Sequence, residues 1–279
     1  MSAWRVATFN IRHGLGPDGR VDLERTAREI AELGADVIGL QEVDAGFGPR
    51  SDHQDQPARL GELLGMQVCF GAALDLPPER DGEPRRQYGL VLLTRHEILS
   101  RAVHLLPLHP GHAPPTEPRG VLHARVRGGD RELDVLVTHL DNAGPAHRTA
   151  QIQGIVRLAQ DLEGPSLLMG DMNAEPSASE LASLAATGWR EASEATTPPR
   201  EAGRGPRWQR LLSAAPLRRL RMVAAPLRRL RMATHPARFP LRRIDSLWVR
   251  GGLEVSTLEV APRGSSDHRG AVATVHLPR

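Results

Sequence analysis

The chain has 279 residues, 40% of them apolar and only 3% aromatic, with a formal net charge of +3. Its longest apolar runs are strand-sized, well short of the roughly 20 residues of a helical membrane span, and its single cysteine, Cys69, excludes an intrachain disulfide framework or a thiolate zinc site. All 36 basic residues are arginine, which excludes a Schiff-base or P-loop lysine.

In chain order, the apolar patterning predicts a strand at 4–11, entered directly without the basic and apolar regions of a secretory signal, so a soluble cytoplasmic protein is expected. A helix follows at 22–33, with Asp22 as N-cap, Leu23, Ala27, Ile30 and Ala31 on one face, and Gly34 as its stop. Strands are predicted at 36–43, 66–72 (with Cys69 buried), 88–94, 98–106, 120–126 and 132–140. A second helix at 146–162 carries Ile152, Ile155, Val156, Ala159 and Leu162 at helical spacing. Further strands are predicted at 166–169, 244–249, 253–260 and 271–277. About ten strands and three or four helices make an α/β protein in which two sheets can pack face to face. The chemical motifs run from residue 10 to residue 268, so residues 1–279 are read as one domain.

One region departs from this pattern. Ala215-Pro-Leu-Arg-Arg-Leu-Arg-Met222 recurs as Ala225-Pro-Leu-Arg-Arg-Leu-Arg-Met232. Two copies are too few for a solenoid, and a proline every ten residues interrupts a helix, so residues 200–240 are read as an arginine-rich insertion. Residues 200–243 hold 13 arginines against the single acid Glu201, or +12, which leaves −9 for the remainder. A polyanionic partner fits this asymmetry, and so does a passive duplication of low complexity. Nothing in the sequence implies a protein partner.

The chemistry-bearing residues cluster at strand ends, where site residues converge in α/β architectures. Asn10 ends the first strand, Glu42 the second, and Asp171 and Asn173 follow the run Leu167-Leu-Met-Gly170. Read alone, Gly170-Asp-Met-Asn173 fits an Asx turn, and His139 fits a satisfied half-buried histidine. Hard oxygen donors without cysteine point to magnesium or manganese. Arg148 and Gln151, one helical turn apart, fit either a surface pair or a support for the loop bearing His139. His104, His109 and His112 are assigned to a proline-rich loop, where spacing argues weakly for zinc.

Read in order, Thr8-Phe-Asn-Ile-Arg12, Leu40-Gln-Glu-Val43, Arg119-Gly, Thr138-His-Leu-Asp141, Met169-Gly-Asp-Met-Asn-Ala-Glu-Pro176, Arg243-Ile-Asp245 and Ser265-Ser-Asp-His268 closely resemble the endonuclease/exonuclease/phosphatase superfamily. The resemblance implies a four-layer α-β-β-α sandwich around two packed mixed β-sheets, and hydrolysis of phosphoesters with Mg2+ or Mn2+. It implies that Glu42 is the principal metal carboxylate, completed or supported by Asn10 and Asp267. His268 would face the scissile phosphate with Asp245 orienting it and favouring its protonated form. Asp171 would polarise the attacking water and Asn173 would bond a phosphoryl oxygen, their side chains sharing one side of an extended segment. His139 would stabilise the transition state or protonate the leaving oxygen, and Arg119 would contact phosphate.

His139 makes the chain more similar to the deoxyribonuclease and sphingomyelinase branch than to apurinic-site endonucleases. Ala174-Glu-Pro after the Gly-Asp-X-Asn motif disfavours the inositol polyphosphate phosphatases. The expected substrate is therefore a phosphodiester in nucleic acid or a phospholipid headgroup. A catalytically silent polyanion-binding protein with an arginine-rich arm is the alternative, against which every motif position holds the residue type that hydrolysis needs.

Overall fold

A strand that is apolar on both faces requires a packed layer on each side. The stretch Ser166–Asp171 is buried at every position: Leu167 and Met169 belong to a core between two sheets, and Leu168 to a core beneath helices. The computed structural model, which describes residues 2–109, 117–196 and 232–278, meets this requirement with four layers.

Among the described residues the elements are β1 (Ala3–Asn10), α1 (Leu23–Glu32), β2 (Val37–Ala45), α2 (Gln56–Leu64), β3 (Gln67–Leu76), β4 (Arg86–Thr94), β5 (Glu97–Leu105), β6 (Gly120–Gly128) and β7 (Arg131–His139). Then come α3 (Pro145–Gln160), β8 (Ser166–Asp171), α4 (Ala182–Ala186), β9 (Arg190–Glu191), α5 (Ala192–Ala195), β10 (Asp245–Arg250), β11 (Glu254–Val260) and β12 (Ala271–His276). They form two six-stranded sheets, ordered β11-β12-β1-β2-β4-β3 and β5-β6-β7-β8-β10-β9. Each is mixed, since β1 pairs parallel with β2 and β7 with β8, among otherwise antiparallel neighbours. The predicted sandwich of two packed mixed sheets is thus the observed fold.

Alternation of side chains along each strand divides the core in three. Val6, Val37, Leu92, Val135, Val137, Leu167, Met169, Leu247 and Val275 fill the space between the sheets. Ile30 and Leu60 from α1 and α2 pack with Ile38, Leu40 and Leu93 on the outer face of the first sheet. Ile152, Ile155 and Ala159 of α3 cover Leu136, Leu168 and Trp248 on the outer face of the second. The sheets meet closely: a Cβ added to Gly39 would lie 3.0 Å from both Met169 and Val137 side-chain atoms. Cys69 is fully buried on its strand, as predicted.

Asp22 caps α1 through a hydrogen bond from the Arg25 N–H (2.8 Å), and Gly34 adopts a left-handed φ of +59° just past its end. The sequence reading overlooked α2. Its apolar face is short and diluted by Pro57 and Gly61, yet it carries terminal signals that mark it. The Asp55 side chain accepts from the Ala58 N–H at 3.1 Å, Pro57 stands in the first turn, and Gly65 closes the helix at φ +60°. Gly61 is required there by close approach to β3, since a Cβ would lie 2.3 Å from the Val68 side chain. His104 belongs to β5 rather than to a loop, whereas His112 and the insertion up to residue 231, with nearly all of its duplicated octapeptide, lie outside the described residues. No helix among the described residues is long and apolar enough to cross a membrane.

Leu168 is fully buried between β8 and α3. Leu168→Ala is expected to lower the unfolding free energy by ~2–5 kcal/mol through lost burial and a residual cavity, read as a lower urea midpoint. An unchanged midpoint would mean that the α3 layer does not depend on this contact.

Candidate active site

The register of the second sheet aligns three polar residues in one row. His139 at the end of β7 pairs with Asp171 at the end of β8, and Asp171 pairs with Asp245 at the start of β10. The first sheet contributes Asn10 at the end of β1, and the loop before β12 contributes Asp267 and His268. The residues singled out from sequence therefore gather at one edge of the sandwich.

Their centre is the Asp171 carboxylate, almost wholly buried. Its Oδ1 accepts from the Asn173 N–H at 2.9 Å. Toward Oδ2 converge Asn10 Nδ2 at 3.2 Å, His139 Nε2 at 3.5 Å and His268 Nε2 at 3.6 Å. Burial, reinforced by the Asp245 charge, pushes the Asp171 carboxyl up to about 7.

The two histidines are held in opposite charge states. Burial opposes a charge on His268, but its Nδ1 faces the Asp245 oxygens at 2.9 and 3.2 Å, and that carboxylate, with Asp171 behind it, raises the imidazolium to about 10. His139 is driven well below the ordinary histidine range by burial first, then by the Arg119 and His268 charges. Arginine has no acceptor, so Arg119 Nη1 must donate to His139 Nδ1 across 3.0 Å. That leaves the His139 proton on Nε2, aimed at Asp171.

The structure corrects one sequence expectation. Asn173 does not lie on an extended segment alongside Asp171. Its φ of +49° is left-handed, the pair forms the Asx turn, and its Nδ2 donates to the Leu140 carbonyl at 2.9 Å. Arg119 is buried, and its Nη1 is both ion-paired with Glu117 at 2.6 Å and engaged with His139. Arg148 and Gln151 are both buried and both hold Asp141, just after the His139 strand. The supporting reading holds for this pair, and the surface reading does not.

Glu42, with φ +59°, sits where the β2–β4 register shifts between Leu40 and Val43. Such a backbone costs on the order of 1–3 kcal/mol and re-aims the side chain. Asn10 Nδ2 donates to Glu42 Oε1 at 2.9 Å, while Asn10 Oδ1 accepts from the Arg12 N–H at 3.1 Å. Asn10 therefore bridges Glu42 and Asp171 through its Nδ2. Burial pushes the Glu42 carboxyl up, opposed by the Asn10 hydrogen bond and aided by the charge of Asp267. Among the described residues no cationic side chain forms an ion pair with Glu42. A desolvated carboxylate that makes no ion pair among the described residues, beside a second one whose charge reinforces its own, fits a hard divalent ion. Asp171, Asp245 and His268 also lie within metal-binding distance of one another. As arranged they form a carboxylate–imidazole–carboxylate chain, with His268 Nδ1 2.9 Å from Asp245 and Nε2 3.6 Å from Asp171.

Several supports escaped the sequence reading. Ser266 Oγ donates to the Asn10 carbonyl at 2.7 Å and accepts from the His268 N–H at 3.2 Å, joining β1 to the histidine loop. Glu29 on α1 accepts from both N–H and Oγ of Ser265 at 2.8 and 3.0 Å. Thr234 Oγ1 accepts from the N–H groups of Ile244 and Asp245. Ser265 and Ser266 lie within the Ser265-Ser-Asp-His268 motif, where they carry no assigned role; Glu29 and Thr234 lie too far along the chain to be linked to it.

A model of the Endonuclease/Exonuclease/phosphatase family matches residues 7–268. Among solved structures, the endonuclease/exonuclease/phosphatase from Beutenbergia cavernae superposes with a TM-score of 0.73 at 23% identity, covering 99% of this chain and 72% of that one. The endonuclease/exonuclease/phosphatase from Bacteroides vulgatus gives 0.69 at 18% identity, covering 100% of both chains. The Bacteroides thetaiotaomicron mannosyl-6-phosphatase gives 0.64 at 17% identity, covering 98% of this chain and 100% of that one.

The Asp245 carboxylate offsets the burial that opposes a charge on His268. Asp245→Asn is expected to bring the His268 titration from about 10 down to or below the ordinary histidine range, followed by imidazole NMR shifts against pH. A titration that stays near its original value would show that Asp245 is not what holds the proton.

Proposed function

This chain belongs to the endonuclease/exonuclease/phosphatase family, and from that premise we propose that it is a divalent-metal-dependent phosphodiesterase in which water attacks in line. The observation that carries the reading is the convergence of Asn10, His139 and His268 on one oxygen of Asp171, with the two imidazoles in opposite charge states.

A phosphodiester anion repels nucleophiles, so its charge must be offset before water can approach. Glu42 and Asp267 would hold the cation, which supplies charge neutralisation at a phosphoryl oxygen when bound. Asp171, in its ionised form, accepts a proton from water and aims it. His268, an imidazolium oriented by Asp245, donates to a non-bridging oxygen as negative charge develops. His139 is neutral and presents Nε2–H, so of its two expected roles it fulfils transition-state stabilisation rather than proton delivery. Arg119 acts by fixing the tautomer of His139, and Asn173 by locking the Asp171 carboxylate through its N–H. The substrate is a phosphodiester in nucleic acid or in a phospholipid headgroup.

The protein is expected to hydrolyse bis(p-nitrophenyl) phosphate with Mg2+ or Mn2+, to lose activity with chelator, and to regain it when the metal is restored. Asp171→Ala and His268→Ala are each expected to lower kcat by ~10²–10⁴-fold while circular dichroism is preserved. Full activity in either variant would remove that residue from the mechanism, and full activity in chelator would remove the metal.

The pH profile of kcat/KM should be bell-shaped. Asp171 becomes ionised as pH rises through its elevated value, giving an ascending limb at or below about 7. His268 loses its proton as pH approaches about 10, giving the descending limb. Activity rising monotonically through pH 10 would show that the imidazolium of His268 is not needed.

A further inference from the structure

Beyond Glu42 the chain turns through a loop that gathers planar side chains. The protein has one tyrosine and four phenylalanines. Tyr88 and Phe47 stand with ring centroids 6.0 Å apart. The Arg50 guanidinium carbon lies 4.2 Å from the Phe47 centroid and 5.4 Å from that of Tyr88. Arg50 is locked in place, its Nε and Nη2 donating at 2.9 and 2.6 Å to the two oxygens of Asp44. The Asp44 side chain is fully buried, while that of Arg50 remains 42% exposed. Gln56 ties the loop down by accepting from the Asp44 N–H and donating to the His13 carbonyl.

This cluster adjoins the catalytic groups. Asp44 is two residues beyond Glu42 and faces Tyr88 across the β2–β4 ladder. Tyr88 in turn shares a narrow crevice with Arg119, Gly120 and His139. The tyrosine is thus a common wall between the His139 side of the site and the Arg50 guanidinium.

An arginine that gathers phosphate keeps its charge available. Here a buried carboxylate cancels that charge and fixes the guanidinium plane, one face of which lies on the aromatics, leaving Nη1 and the opposite face. A rigid, neutral, planar surface with residual donors suits an uncharged ring bearing polar groups better than a second phosphate. We propose that Phe47, Arg50 and Tyr88 form a subsite for the ring, a sugar or a nucleobase, of the organic group esterified to the phosphate. The assignment rests on the phosphoester reading of the neighbouring site. It adds a specificity element to that reading, in which a ring-bearing ester is favoured over one with a small alkyl group.

The test is calorimetric titration of the full chain with Mg2+ present, using methyl phosphate, ribose 5-phosphate and thymidine 5′-phosphate, three monoesters that differ in the group they carry. Stacking predicts that a ring-bearing ester binds about tenfold more tightly than methyl phosphate. A gain already present with ribose 5-phosphate identifies the sugar, and one confined to thymidine 5′-phosphate identifies the base. Phe47→Ala and Arg50→Ala are each expected to bring the ratio to within about twofold of unity, leaving methyl phosphate affinity as in the wild type. Phe47→Ala keeps the test decisive where Arg50→Ala, which leaves Asp44 buried and unpaired, fails to fold. No preference in the wild type overturns the proposal; so does a preference that survives both variants, or a loss that falls equally on methyl phosphate. Because binding is read without turnover, an absence of hydrolysis would overturn the phosphodiesterase reading separately.

Discussion

Burying a carboxylate costs several kcal/mol unless donors replace its water, and the arrangement of this protein follows from how Asp171 is satisfied. Its donors come from both sheets. Asn10 ends the central strand of one, His139 ends the neighbouring strand of the other, Asn173 follows in sequence, and His268 is held by the loop entering β12. The site exists only when the two sheets are packed face to face with these strand ends side by side. The inter-sheet core of Val137, Leu167 and Met169 is thereby as necessary to the chemistry as the polar residues are.

The same carboxylate separates the two histidines electrostatically. His139 and His268 approach one oxygen from similar distances, yet one has a cationic neighbour and the other an anionic one. Arg119 against His139 and Asp245 against His268 give the pair one neutral donor and one charged donor. Two imidazolium ions around a single carboxylate would repel each other in a poorly solvated pocket, and two neutral rings would leave the anion uncompensated. The observed division avoids both costs.

Strain and tight support are concentrated at the same edge. Glu42 and Asn173 adopt left-handed backbone, which non-glycine residues rarely do, and both adjoin the hub through Asn10 or Asp171. Ser266 and Glu29 fasten the histidine loop to β1 and α1. Flanking the site, Asp44 removes the charge of Arg50 while fixing its plane over Phe47, so the wall next to the hydrolytic groups differs from them in chemistry.

Much of this was legible in the chain before folding. Strand and helix periodicity identified the α/β class, the long strands, α1 and α3, because burial on one face or both imposes a repeat that local sequence carries. Ordered motifs identified the residues that meet at Asp171, because each lies at or within three residues of a strand end. Local sequence also held the caps of α2, although its diluted apolar face hid the helix. The tertiary structure alone decided that Asn10 bridges two carboxylates, that Arg119 faces His139 instead of solvent, and that Asn173 turns back to Leu140. Each depends on which strands become neighbours and in what register. Hydrogen-bond partners and charge states are properties of contacts between distant segments, so they come into being only when the sheets close over the buried carboxylate.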